Sequence, residues 1–226
     1  MKQPLLGFCL AAVLVGCGGG GGGGTAPATS IPVSQVFSSI FSTQRTFLAK
    51  QTTNPNVSLN VTFSPGPDAI FPGSQGLAKT MTLWSTVLQG STVLSSTGTL
   101  VYYKSSPLAV VGYDGRAVTN QYALPSSAPV GASGPFFYIA AANPVYVDNS
   151  NNASWIVQSD NNGAWACFNL QEGPGLNTLL GLQSTSIQTL CFLSDTSGNL
   201  SAFKASFQDN KQSTFAKTVI NSSTFQ

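Results

Sequence analysis

Histidine is absent from this chain, and charge of either sign is scarce: nine lysines and arginines and seven aspartates and glutamates make up 7% of its 226 residues. Without histidine there is neither a Ser-His-Asp nor a Cys-His nucleophile, and no side chain whose ordinary pKa would serve as a switch near neutrality. Zinc loses one of its two commonest ligand types for the same reason. The net charge of +2 is spread without a basic patch or stripe, which argues against nucleic acid and against electrostatic adhesion to a membrane. Surface polarity has to come from serine, threonine, asparagine and glutamine instead.

The acids are Asp68, Asp114, Asp148, Asp160, Glu172, Asp195 and Asp209. Asp114, Asp160 and Asp195 stand in Asp-Gly, Asp-Asn-Asn-Gly and Asp-Thr-Ser-Gly-Asn stretches, where aspartate is favoured because its carboxylate bonds the backbone of a turn. A glycosidase-type carboxylate pair would have to be assembled across the fold from the others. The segment DNSNNASWIVQS from Asp148 starts like a calcium loop, but Ala153 occupies the glycine place and Ser159 that of the bidentate glutamate. An asparagine-rich approach to a hairpin is the better reading, and neither a metal nor a cofactor is expected. A Ser-Lys dyad using Lys79, Lys104 or Lys204 is the nucleophilic arrangement that the composition leaves open.

What the chain does have begins with LVGCGGGGGGGTAPATS, Leu14 to Ser30. Ahead of it Lys2 precedes an apolar block from Leu5 to Val15, and small Gly16 stands before Cys17, the order of a secretory signal. The block is too short for a bilayer, which needs about 20 apolar residues. Leu14-Val15-Gly16-Cys17 resembles the lipobox of bacterial lipoproteins. That resemblance implies that residues 1–16 are cut away, that Cys17 is diacylated, and that the new amino terminus is acylated too. Several acyl chains hold a protein on a membrane effectively for good, so the partner implied is the membrane itself, reached through lipid and without a spanning segment. By the family's sorting rule, Gly18 in place of aspartate implies the outer membrane of a bacterial envelope.

Residues 17–30 read as a flexible tether, because the glycine run and the Thr25-Ala26-Pro27-Ala28-Thr29 stretch carry no apolar periodicity. Its root-mean-square span would be about 20 Å. A dinucleotide-binding loop, the competing reading of a glycine run, would need a strand before it and a helix after it. Residues 31–226 contain no second such stretch and read as a single β-rich domain. With Cys9 lost and Cys17 acylated, Cys167 and Cys191 remain; two thiols in an oxidising compartment make one disulfide, whereas a redox pair is usually C-x-x-C.

Val33, Val36, Phe37, Ile40, Phe41, Phe47 and Leu48 recur at helical spacing and predict an amphipathic helix that packs on the core, with Ser30 as its cap and Pro32 in its first turn. From Val57 the period changes to two, through Leu59, Val61 and Phe63. Further strands are predicted over 77–88, 99–104, 108–113, 117–123, 136–142, 153–159, 164–170, 190–193, 200–207 and 214–220, with a short helix over 176–182. Short connections such as Asp114-Gly115 favour antiparallel hairpins. The fold class expected is mainly β (α+β), with one N-terminal helix packed on a curled antiparallel sheet or β-sandwich and one disulfide.

In order and composition the body resembles uncharacterised envelope lipoproteins of proteobacteria, which place one helix before a β-rich body with a late cysteine pair. That likeness carries no site residues. Trp84, Trp155 and Trp165, with Phe136-Phe137 and Tyr102-Tyr103, supply stacking faces for a sugar or lipid or else fill a core; neighbours on a strand face opposite sides, so at least one of each adjacent pair is expected in the core and the other is free to show outward. The stretch from Leu124 to Pro135 reads as a rim loop for a partner. The first functional reading is non-catalytic binding of an envelope protein, a glycan or an apolar ligand. The second is a structural or surface-interaction protein, and a hydrolase comes third.

Overall fold

A computed structural model describes residues 30–51, 54–73, 76–139, 152–172, 186–209 and 215–219. The signal, Cys17 and the tether up to Thr29 lie outside the described residues, as do the start of the calcium-like segment at Asp148 and the helix expected over 176–182.

The chain enters through a two-residue strand β1 (Ser30–Ile31) and turns into α1 (Val33–Ser42). Val33, Val36, Phe37, Ile40 and Phe41 form the buried stripe, at the predicted spacing. The helix stops earlier than expected. Thr43 takes extended backbone, and β2 (Arg45–Lys50) follows with Phe47 and Ala49 inward and Leu48 outward. No apolar residue between Phe41 and Phe47 could hold another helical turn against the core, and from Arg45 the alternation fits a strand. The cap also differs. Ser30 is in β1 and Pro32 sits at the N-cap without a side-chain bond, so the Ser34 N–H donates to the Pro125 carbonyl at 3.0 Å instead.

The remaining strands are β3 (Val57–Ala69), β4 (Ala78–Gln89), β5 (Thr92–Ser105), β6 (Leu108–Tyr113), β7 (Arg116–Gln121), β8 (Ala128–Pro129), β9 (Ser133–Ile139), β10 (Asn152–Asp160), β11 (Gly163–Glu172), β12 (Ser186–Ser194), β13 (Leu200–Asp209) and β14 (Phe215–Val219). Strands β1 and β8 pair with each other, Ser30 opposite Pro129 and Ile31 opposite Ala128. All the others form one twelve-stranded antiparallel sheet in chain order. The predicted Asp114-Gly115 hairpin forms with positive φ at both residues, +49° and +72°, as a two-residue connection of that type requires.

The sheet curls until it is nearly closed. Phe47 of β2 stacks on Phe203 of β13 at 4.9 Å and meets Phe192 of β12 at 5.5 Å, so both ends of the sheet share one core. Helix α1 lies within the curl: Phe37 is 6.1 Å from both Phe136 of β9 and Phe168 of β11, and Phe41 is 5.1 Å from Tyr103 of β5. The buried Tyr103 hydroxyl donates to the Phe41 carbonyl at 2.7 Å and so satisfies one of the carbonyls that a helix leaves open at its C-terminal end. Along the described strands most apolar side chains point in, and Leu48, Trp84, Val93, Leu94 and Leu100 are exceptions that point out.

Replacing Tyr103 by phenylalanine keeps the ring contact and strands that carbonyl. The Tyr103→Phe variant should lose about 1–3 kcal/mol of unfolding free energy in a denaturant titration; an unchanged midpoint would show that the hydroxyl does not hold the helix end.

Candidate functional site

Three places could carry function: the interior, the region around the disulfide, and the outer face of β2–β5.

Among the described residues the interior is packed with side chains. A void between the helix and the sheet measures about 30 Å³, is wholly apolar, and is lined by Phe37, Phe41, Phe63, Met81, Phe137 and Phe192 among others. A space of that size would take a water or two and, being apolar, stays dry. A ligand larger than this would have to displace core side chains. The aromatic pairs explain part of the filling. Phe136 and Phe137 were expected to face opposite sides, yet both are buried with their rings 5.1 Å apart. The register opposite β10 shifts at this point, Ala153 pairing with Phe137 and Ser154 with Pro135, so Phe136 is an extra residue whose side chain stays on the inner side.

Cys167 of β11 and Cys191 of β12 are directly paired in register and form the expected disulfide, with S–S 2.07 Å. They are buried with Trp165 in a small cluster separate from the main core, flanked by Ile156, Leu193 and Ala202. The Lys204 ammonium lies 4.1 Å from the Trp165 ring centre and donates to Asp160 Oδ2 at 3.0 Å. Partial burial pushes the Asp160 carboxyl up, but the indole N–H of Trp165, the Asn162 N–H and the Lys204 ammonium outweigh it and hold the group below the usual carboxylate value. The Trp165 N–H faces this carboxylate without reaching ordinary hydrogen-bond geometry.

Ser201 and Lys204 stand at S-x-x-K spacing, a coincidence that sequence reasoning overlooked. On a helix that spacing would bring hydroxyl and amine together; on strand β13 positions three apart face opposite sides, and the lysine is held by Asp160. Asp195 and Asp68 are held in similar ways. Asp195 Oδ1 accepts from the Ser197 and Asn199 N–H groups at 2.8 and 2.9 Å, and Asp68 lies 3.8 Å from Lys79. Among the described residues no three of His, Cys, Asp and Glu are grouped to hold a metal. The stretch expected to be a rim, Leu124 to Pro135, contains β8 and is occupied from within: it pairs with β1 and receives Ser34 of the helix.

The outer face of β2–β5 is the remaining place. Trp155 and Trp165 are buried, whereas Trp84 is 47% exposed. Its ring lies across Gly98 of β5, so close that a Cβ there would come within 2.7 Å of it. Hydroxyl pairs flank the ring, Thr46 with Thr62 at 3.1 Å and Thr86 with Ser96 at 3.0 Å. Leu48, Val93, Leu94 and Leu100 are exposed around them. Strand alternation puts Leu48 and Leu100 on the same side as Trp84, and the face joins an aromatic plate, aliphatic side chains and neutral hydroxyls. Comparison with protein-family models, curated proteins and solved structures finds no match to this chain.

Two measurements bear on the region around the disulfide. The Cys167→Ala/Cys191→Ala chain, which opens a loop of 24 residue steps, should be less stable by about 3 kcal/mol if loop entropy dominates. The Asp160 contribution has a definite sign in pH. With the folded value depressed, its stabilisation is present above the unfolded carboxyl pKa of about 3.9 and is lost as pH falls through the lower folded value. Acid titration of the unfolding free energy should be less steep in Lys204→Met than in the parent, and identical slopes would remove this ion pair from the account.

Proposed function

We propose that the chain is a bacterial lipoprotein, held on the envelope, with the outer membrane as its address, by lipid on Cys17, and that its β domain binds a protein or glycan non-catalytically on its outer surface. The observation that carries the binding half is the partly apolar outer face around Trp84, beside an interior that the described side chains pack. The void between the helix and the sheet has room only for something the size of water. An exposed indole ring with hydroxyls around it offers a stacking plate and hydrogen-bonding groups, the combination that suits a sugar ring or a protein side chain. This weight toward surface contact also favours the second reading, a structural or interaction protein, over an enclosed small-molecule carrier. The anchoring half rests on the lipobox-like Leu14-Val15-Gly16-Cys17 and the glycine run behind it.

Cys17→Ser should leave the domain folded and move it from the membrane to the soluble fraction; unchanged fractionation sinks the anchor. Native mass spectrometry of the protein taken from its own envelope addresses the other half. A protein or oligosaccharide mass retained by the parent and lost in Trp84→Ala supports the outer face, whereas a retained apolar molecule in both speaks against it.

A further inference from the structure

Strand β6 covers only the second half of β5. Their pairing runs from Val101 to Ser105, and the Asp114 N–H closes it on the Leu100 carbonyl at 2.8 Å. From Thr92 to Thr99, β5 pairs with β4 alone among the described residues. The Leu100 carbonyl points away from β4. Backbone groups alternate along a strand, so the N–H and C=O of Gly98 and of Ser96 point the same way, along an edge that no described strand covers. Exposed strand edges are commonly guarded by a charge or a proline. The stretch TVLSSTGTL, Thr92 to Leu100, has neither.

The side chains at this edge are as informative as its amides. Ser96 and Gly98 belong to the outer face, one bonded to Thr86 and the other beneath the Trp84 ring. Leu94 follows at the register shift opposite Val87 and Leu88, which brings Val93 to the same side; the two are 53% and 56% exposed.

We propose that a second copy of the chain adds at this edge, β5 against β5 in antiparallel register centred on Ser96, joining the two sheets into one. In that register Ser96 faces Ser96 of the other copy and Leu94 faces Gly98. The outward amides and carbonyls of Ser96 and Gly98 then meet strand partners. The bulkiest edge side chain also falls on the residue that has none, beside the exposed Trp84 ring that lies over it, and two-fold symmetry repeats this fit at the other end. No like charges meet, because the stretch is uncharged, and a net charge of +2 on the whole chain gives little long-range repulsion. A foreign extended peptide would find the same amides, but the chain itself supplies both the leucine and, over Gly98, the exposed indole that it packs beside. The pairing is independent of whether Cys17 carries lipid.

The test uses the full chain in a non-ionic detergent, followed by sedimentation velocity across a concentration series. The parent should show a reversible monomer–dimer equilibrium. Leu94→Lys puts a charge where the leucine docks, and Ser96→Pro removes an N–H that the β4 ladder does not use; each should weaken association at least about tenfold, while the thermal midpoint of the dilute monomer shifts by no more than about 4 °C, the size expected for the Thr86 bond that proline also removes. Under a mild oxidant that takes up both thiol protons and electrons, Ser96→Cys should give a disulfide-linked dimer and Ser91→Cys should not, the parent serving as control for Cys17. A parent chain that stays monomeric throughout overturns the proposal. So does a dimer that survives both substitutions while Ser96→Cys fails to cross-link, since it would use another surface.

Discussion

The structure depends on one geometric requirement: something has to fill the curl of the sheet. A closed barrel of about eight strands has an interior that its own side chains can occupy, and wider barrels leave a lumen. Here twelve strands bend round until Phe47 of the first touches Phe192 and Phe203 near the last. Helix α1 supplies the missing volume. Its stripe of Val33, Val36, Phe37, Ile40 and Phe41 reaches strands from both halves of the sheet, and the void beside it measures about 30 Å³. Without the helix those inward phenylalanines would line a wet cavity, and each buried side chain of this kind is worth about 1.5–3 kcal/mol.

Filling the interior moves the chemistry outward. A carrier of the open-barrel kind takes its ligand at the centre, whereas here the described side chains pack the centre and the outer faces of strands are what stands open to contact. Charge contributes little there. What distinguishes one face from another is the placing of a few large side chains among hydroxyls, and on β2–β5 that placing is set by period-two alternation and by a glycine that lets an indole lie flat.

Much of the architecture was legible in the sequence because its signals are periodic. The stripe from Val33 to Phe41 and the alternation from Val57 to Phe63 follow from spacing and the Asp114-Gly115 turn from its residue types, while the pairing of Cys167 with Cys191 follows from counting once the lipobox resemblance sets Cys9 and Cys17 aside. The errors share a cause: they fall where the pattern is ambiguous over a few residues. Phe47 and Leu48 fit a continued helix by spacing and a strand by alternation, and only the shared core decides. The first half of β5 is rich in serine and threonine and has no buried side to alternate against, so Thr92 to Gly98 gives no strand signal. Phe136 and Phe137 defeat the alternation rule through a register shift that lies in the partner strand's pairing. The outer face around Trp84 was not legible at all, since nothing in the order of residues says which of three tryptophans stays outside.

The short clasp of β1 on β8 has a mechanical side. Any pull applied to the chain ahead of Ser30 meets first the pairing of Ser30 with Pro129 and Ile31 with Ala128, then the buried Ile31 side chain, and then the helix seated in the core. The sheet strands come after these in the load path. Tension applied at Ser30 therefore reaches the packed centre of the domain before it reaches the strands of the large sheet.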